Sequence, residues 1–188
     1  MNAKLDRRKK YTRMMLKESL MRLLKEKQIS SITVKELCEL ADINRSTFYS
    51  HYADPFDLLT KIEEEILADM QQTLGSYNFS EEEEALQMTE KLLEYVADNR
   101  DVCQILLSKH GDPQFQQKVM KITEEFMMKH WRSIHKADQK VSEYMSLYVI
   151  SGSLHVLKEW LDNGMDKSPR EMAELINHFT NYGLSSPL

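Results

Sequence analysis

Apolar residues recur along the chain at the three- and four-residue spacing of amphipathic helices, not in the alternation that is typical of β-strands. Pairs of a capping residue and a proline, such as Asp54-Pro55, Asp112-Pro113 and Ser168-Pro169, mark the starts of several of these segments. The pattern predicts helices over residues 6–27, 33–41, 44–52, 54–74, 81–97, 100–109, 113–136, 140–162 and 169–182. We therefore expect an all-α protein of about nine helices, whose first three are small and basic.

The second and third predicted helices are short and closely spaced. Thr33 and Glu36 have the spacing of a capping box, which starts the second helix, and Asn44 is a suitable N-cap for the third. The inner positions of the second helix are Val34, Leu37, Cys38 and Ala41, and those of the first are Met14, Leu20, Leu23 and Leu24. About three residues separate the two short helices, which is the sequence form of a helix-turn-helix.

Composition agrees with a globular helical chain. The 188 residues are 41% hydrophobic and 29% charged, and they include only five Gly and four Pro. We find no apolar run of about 18 residues and no signal peptide, so we expect a cytoplasmic protein without a membrane partner. Cys38 and Cys103 lie within helical patterns, so we expect them to be buried thiols and not a disulfide.

Charge divides the chain into two parts. Residues 1–54 carry 12 Lys and Arg against 7 Asp and Glu, whereas the rest carries 13 against 23. A basic first third on an acidic body favours contact of that third with a polyanion. A solvated basic segment is the simpler alternative.

The segment "NRSTFYSHY" at 44–52 concentrates polar and aromatic side chains. Phe48 and Tyr52, four residues apart, are expected to pack inward, while the outward arc holds Arg45, Ser46, Tyr49 and Ser50. Arginine offers two parallel donors to a guanine edge, and hydroxyl groups suit phosphate oxygens. The segment therefore has the chemistry of a DNA recognition helix, although a merely solvent-exposed helix is the alternative.

The longer run "ITVKELCELADINRSTFYSHYADPFDLL" resembles the DNA-binding region of the TetR family of bacterial transcriptional regulators. The resemblance covers residues 12–59 and is carried by Thr33, Ala41, Ile43, Thr47, Phe48, Tyr49 and Tyr52. It implies a helix-turn-helix DNA-binding domain over residues 1–54 and a helical ligand-binding and dimerisation domain over residues 55–188.

The same resemblance implies roles for individual side chains. Arg45 and Ser46 would recognise bases, and the phosphate contacts would come from Thr33, Thr47, Tyr49 and His51. Family members often carry a Lys at the start of the fourth helix, where this chain has Pro55. We expect that phosphate contact to be missing and the basic residues 7–10 to compensate for it.

In this family the C-terminal helices pair two subunits and often enclose a small-molecule pocket. The expected dimer surface consists of Ser151, Gly152, Val156, Glu159, Met172, Ile176 and Phe179. The expected pocket consists of Tyr95, Cys103, Met127, Trp131, Tyr144, Tyr148 and His155. The alternative for both sets is that these residues belong to the hydrophobic core of the chain itself.

We therefore predict a sequence-specific DNA-binding transcriptional regulator, a ligand-responsive repressor that binds a palindromic operator as a homodimer. The alternatives are an activator of the same family under the control of a protein partner, and a helical protein-interaction module. We find no phosphate loop or nucleophile motif, and His130 and His135 are five residues apart, so we expect no enzyme, cofactor or metal site. The segment "NRDVCQILLSKHGDPQF" also resembles a C-terminal subtype that includes the activator of dihydroxyacetone kinase operons.

Overall fold

The structure is a computed structural model that describes the backbone of residues 2–76, 82–134 and 139–183, and the side chains of residues 7–76, 83–126 and 140–183. Within these ranges the chain is all-α, as predicted. Nine α-helices follow one another in the described residues: α1 (Asn2–Leu24), α2 (Val34–Ala41), α3 (Arg45–Tyr49), α4 (Pro55–Gly75), α5 (Glu82–Asp98), α6 (Arg100–Leu106), α7 (Pro113–Ile134), α8 (Gln139–Asp162) and α9 (Pro169–Tyr182). A short 3-10 helix, Ile29–Ser31, precedes α2.

The chain divides into two compact units. The first contains residues up to Ile66 together with Ile105–Pro113, and the second contains Leu67–Gln104 and the residues from Gln114 onward. The first unit therefore holds all of α1, α2 and α3 and the start of α4.

The first unit is built on a buried stripe of α1. Leu16, Leu20 and Leu24 are fully buried, and α1 packs against α2, which packs against α3. Met14, which the sequence pattern places on the inner face, is 46% exposed, because the buried stripe continues instead through Thr12. Leu37, Cys38 and Ala41 of α2 are buried as predicted. Both cysteines, Cys38 and Cys103, are free and buried, which confirms that prediction.

The starts of α2, α4 and α9 follow the predicted capping chemistry. Thr33 caps α2 in a complete capping box with Glu36, and Ser168 caps α9 in the same way with Glu171. At the start of α4, the Asp57 backbone N–H donates to Asp54 Oδ1 at 2.9 Å. These contacts satisfy amide groups that would otherwise lack a partner at each helix start.

The second unit contains a core in which α5 packs against α9. Leu93, Trp160, Met172 and Ala173 form its buried centre, and Trp160 Nε1 donates to the Lys167 carbonyl at 2.9 Å. At its edge the Arg170 guanidinium contacts the carboxylates of Glu90 and Glu174, each at 2.8 Å. None of the helices within the described ranges has the length and apolar character that crossing a membrane requires.

Candidate nucleic-acid interface

The turn between α2 and α3 has a defined backbone path. Asp42 adopts a left-handed conformation with φ of 53°, and the Ile43 N–H donates to the Cys38 carbonyl at 3.0 Å. A hydrogen bond between residues five apart in the chain is typical of an α-helix that ends at a residue in the left-handed conformation. The chain therefore changes direction after α2. Asn44 occupies the N-cap of α3 as predicted, but its side chain makes no capping hydrogen bond.

Two aromatic rings anchor α3 to the first unit. Phe48 is fully buried, and the half-buried Tyr52 ring lies 5.9 Å from it, measured between centroids. The helix ends at Tyr49, three residues before the predicted end. The chain nevertheless keeps a helical turn, because the N–H groups of His51 and Tyr52 both donate to the Phe48 carbonyl at 2.9 Å.

The opposite side of α3 presents polar groups to solvent. Arg45 and Ser46 are exposed, Tyr49 is 59% exposed and Thr47 is half-buried. The Ser50 hydroxyl, at the C-cap of α3, donates to the Thr47 carbonyl at 2.7 Å, so its hydrogen is already used by the backbone. Arg45 forms no ion pair with any side chain that the structure describes. Its guanidinium therefore has its donors available for a ligand.

Thr33 is exposed at the start of α2, and its hydroxyl is already used. The hydroxyl donates to Glu36 Oε2 at 2.9 Å and accepts from the Glu36 N–H at 3.3 Å. Hydrogen bonds from Lys27 and from Thr33 lower the pKa of Glu36 from 4.5 to about 2. Since a hydroxyl has one hydrogen, a phosphate contact by Thr33 requires that hydrogen to turn away from Glu36.

His51 lies just beyond α3 and is half-buried. Burial lowers the pKa of His51, and the nearby charges of Arg13 and Lys9 lower it further. The sequence-based prediction identified His51 but missed Arg13 as its neighbour. The sequence did offer a signal for Arg13: it follows Lys9 by four residues, and this spacing places both cations on one face of α1.

The first basic residue of α4 is Lys61, so the first turn of this helix carries no cation. Pro55 is buried, and Phe56, which follows it, is 52% exposed. The flanking carboxylates cap the helix, since the Ala53 N–H donates to Asp57 Oδ2 at 2.9 Å. Beside α3, an open depression of about 310 Å³ is lined by Lys35, Cys38, Glu39, Asp42, Ile43, Asn44 and Arg45.

The predicted pocket residues with described side chains differ in exposure and in their partners. Tyr144 and Tyr148 are 73% and 79% exposed on the surface of α8. Cys103 is buried, and the Tyr95 hydroxyl donates to Asp69 Oδ2 at 2.8 Å. The exposed His155 has its Nδ1 2.9 Å from the Ser151 carbonyl within α8. The side chains of Met127 and Trp131, the remaining two predicted residues, lie outside the described residues.

The residues that were predicted to form the dimer surface differ in how far they are exposed. Gly152, Glu159, Val156 and Phe179 are exposed, and Ser151 is half-buried. Met172 is only 4% exposed and Ile176 packs against the same core, so these two side chains belong mainly to the chain's own interior. A Cβ added to Gly152 would meet no atom within 4 Å, which leaves room for close approach of another helix there.

Comparison with known proteins found a family model, a curated relative and solved structures that are similar to this chain. A TetR family model, described as a transcriptional regulator C-terminal region, matches residues 83–182. An uncharacterized HTH-type transcriptional regulator of Bacillus subtilis, YxbF, is 26% identical over 180 residues, which cover 92% of this chain and 46% of the relative. The chain thus spans about half the length of that curated relative.

Solved structures show the same fold. A TetR transcriptional regulator from Streptococcus agalactiae is 21% identical, with a TM-score of 0.66 over 96% of this chain and 99% of that one. The dihydroxyacetone kinase operon activator DhaS is 18% identical, with a TM-score of 0.59 over 90% of this chain and 93% of that one.

Proposed function

The chain belongs to the TetR family of transcriptional regulators, and on that premise we propose that it binds a palindromic DNA operator as a homodimer in the cytoplasm. In this proposal it represses transcription until a small molecule releases it from the DNA. The observation that carries the proposal is the two-sided α3, which buries Phe48 and exposes Arg45 and Tyr49.

The exposed groups of α3 divide into base contacts and phosphate contacts. In a helix-turn-helix the first residues of the second helix meet the base edges in the major groove. Arg45 and Ser46 occupy those positions, and the arginine fork matches the two acceptors of a guanine. The phosphate contacts in this proposal come from Thr33, Thr47, Tyr49 and His51, whose polar groups position the helix without selecting a sequence.

The exposed face of α8 supports a homodimer. Its buried stripe contains Ser146, Ile150 and Leu154, whereas the opposite stripe exposes apolar side chains together with Gly152. The exposed apolar members of α8 and α9 are Val141, Tyr144, Met145, Leu147, Tyr148, Val156, Phe179 and Tyr182. Several exposed apolar side chains along one helix are typical of a protein interface. A second subunit would place two recognition helices on half-sites about 34 Å apart.

Release by a small molecule follows from population shift. A ligand that binds more tightly to a dimer with the wrong spacing of recognition helices lowers the population able to bind DNA. Among the predicted pocket positions with described side chains, the buried Cys103 and the half-buried Tyr95 remain candidates for the ligand site. Tyr144 and Tyr148 fit the dimer surface better.

The proposal is tested by selecting genomic DNA fragments with the purified protein and measuring the mass of the complexes by light scattering. We expect a small set of fragments that share an inverted repeat, each bound by two chains. The matched control is the double variant Arg45→Ala, Tyr49→Ala, which keeps the buried Phe48. Recovery of the same fragments by both proteins, or of none by either, would contradict DNA recognition through α3. A reporter that carries a selected fragment then distinguishes repression from activation.

A further inference from the structure

The open depression beside α3 carries charges of both signs. Its volume is about 310 Å³. The cations of its lining are Lys35 and Arg45, and the acids are Glu39 and Asp42. All four side chains are exposed. A purely basic surface would attract DNA more strongly, so the two acids within the depression need a separate explanation.

The charges of the depression are only weakly paired with one another. Glu39 Oε1 lies 3.8 Å from Lys35 Nζ, and these side chains are 65% and 64% exposed. An exposed ion pair of this length contributes little to stability, so a ligand can separate it easily. Asp42 and Arg45 form no ion pair with the side chains that the structure describes. The carboxylates of the depression are therefore available to a ligand.

The carboxylate of Asp42 is not needed for the turn that it occupies. Its φ of 53° lies in the left-handed region, which glycine adopts without strain. The contact that closes α2 at this residue is made by the backbone, since the Asp42 N–H donates to the Cys38 carbonyl. Glycine would make the same contact, so the acidic side chain has to be explained by something other than the cap.

Cations and acids side by side match the edge of a G·C base pair. In the major groove guanine presents two acceptors, which suit arginine, and cytosine presents an amino donor, which suits a carboxylate. The first residues of a recognition helix meet these edges. Arg45 is the first residue of α3, so a base edge that contacts it also borders the depression. Phosphates, which every DNA sequence presents, are repelled by the same carboxylates.

We propose that Glu39 accepts a hydrogen bond from a cytosine amino group beside the base pair that Arg45 contacts, and that Glu39 and Asp42 together weaken binding to DNA that lacks this cytosine. Glu39 is the acceptor because its side chain has the longer reach, whereas Asp42 acts through its charge. The inference rests on the proposed DNA-binding function. It adds a base contact from α2 and a means of rejecting random sequence.

The experiment combines selection from a randomised operator with fluorescence anisotropy on a selected duplex and a random one. Glu39→Gln should change the preference at one position of each half-site from cytosine to adenine, because glutamine pairs with N6 and N7 of adenine. Loss of the charge should also strengthen binding to the random duplex about twofold to fivefold per subunit. Asp42→Asn, which suits the left-handed backbone, should give a similar gain on the random duplex without changing the base preference.

Glu26→Gln is the matched control, since it makes the same charge change at an exposed position of the first unit outside the depression. It should leave the ratio of the two affinities unchanged. A variant that fails to fold would lose affinity for both duplexes, which is the opposite of the expected gain on random DNA. If the wild type binds neither duplex, the proposed function fails. If it binds, but Glu39→Gln keeps the wild-type preference at every position or neither acid variant gains affinity for the random duplex, DNA binding stands and this role of the acids is overturned.

Discussion

Phe48 and Tyr49 meet edge to face, with ring centroids 5.6 Å apart and planes at 87°, yet Phe48 is fully buried and Tyr49 is 59% exposed. The contact ties an exposed phenol to the rigid centre of the first unit. An aromatic pair of this geometry is worth about 1 kcal/mol beyond the area that it buries. The Tyr49 hydroxyl is therefore held in place without being buried, which suits a group that meets a phosphate.

Removal of the Tyr49 hydroxyl should weaken DNA binding without changing its specificity. Tyr49→Phe keeps the ring contact with Phe48 and removes one hydrogen bond, which is worth about 1 kcal/mol, or about fivefold in affinity. Competition between selected and random duplexes measures the effect. A change in the ratio of the two affinities would show that Tyr49 recognises a base.

Truncation of Arg45 should change both affinity and specificity. Arg45→Ala should cost about 1–3 kcal/mol on the preferred sequence and relax the preference at one base pair of each half-site. Repeated selection from a randomised operator measures this preference position by position. An equal loss on every sequence would contradict a base contact and assign Arg45 to the phosphate backbone.

The capping box at the start of α2 should make stability depend on acidity. The pKa of Glu36 falls from 4.5 to about 2 on folding, because hydrogen bonds from Lys27 and Thr33 favour its carboxylate. The stabilisation is fully present above pH 4.5 and is lost as the pH falls toward 2.

We expect Glu36→Gln to lower the urea midpoint at pH 7, and the difference from the wild type to shrink between pH 4.5 and 2. Glu26→Gln changes an exposed acid of the same unit and serves as the control. A difference for Glu36→Gln that is independent of pH would show that the carboxylate charge contributes nothing to the cap.

A larger side chain at Gly152 should separate the two subunits. Gly152→Leu has room within the chain, since no atom lies within 4 Å of the added Cβ, and leucine favours a helix over glycine by about 0.5–1 kcal/mol. The branched side chain would hold a partner helix away from α8. Light scattering should detect monomers with unchanged helical content.

The control for this variant is Gln71→Leu, which adds the same side chain at an exposed position of α4. It should remain dimeric. Dimers of Gly152→Leu as stable as those of the wild type would show that the exposed face of α8 is not the subunit interface.

Features that depend on neighbouring residues were predictable from the sequence. The capping box at Thr33, the caps at Ser168 and Asp54 before their prolines, and the inward Phe48 are all found where the pattern places them. Each of these depends on a few consecutive residues, because a cap or a helix face is a local property. The end of α3 was placed three residues too late, since the turn after Tyr49 still forms helix-like hydrogen bonds.

Features that depend on distant contacts were less predictable. Apolar stripes on α8 and α9 have the same spacing whether they face the chain's own core or a partner, and only the fold shows that Met172 is buried and Tyr148 exposed. The same is true of charge, since the influence of Arg13 on His51 joins α1 to the residue after α3. Helical spacing fixes the face of a residue, but it does not fix what packs against that face.

The central claim, that this chain is a DNA-binding dimer, is tested most directly by the salt dependence of its affinity for a duplex selected from genomic DNA. Each phosphate that a cation neutralises contributes about −0.9 to the slope of log affinity against log salt concentration. We predict two chains per duplex and a slope of about −2 or steeper. Binding whose affinity does not change with salt, or no binding to any selected duplex, would contradict the account.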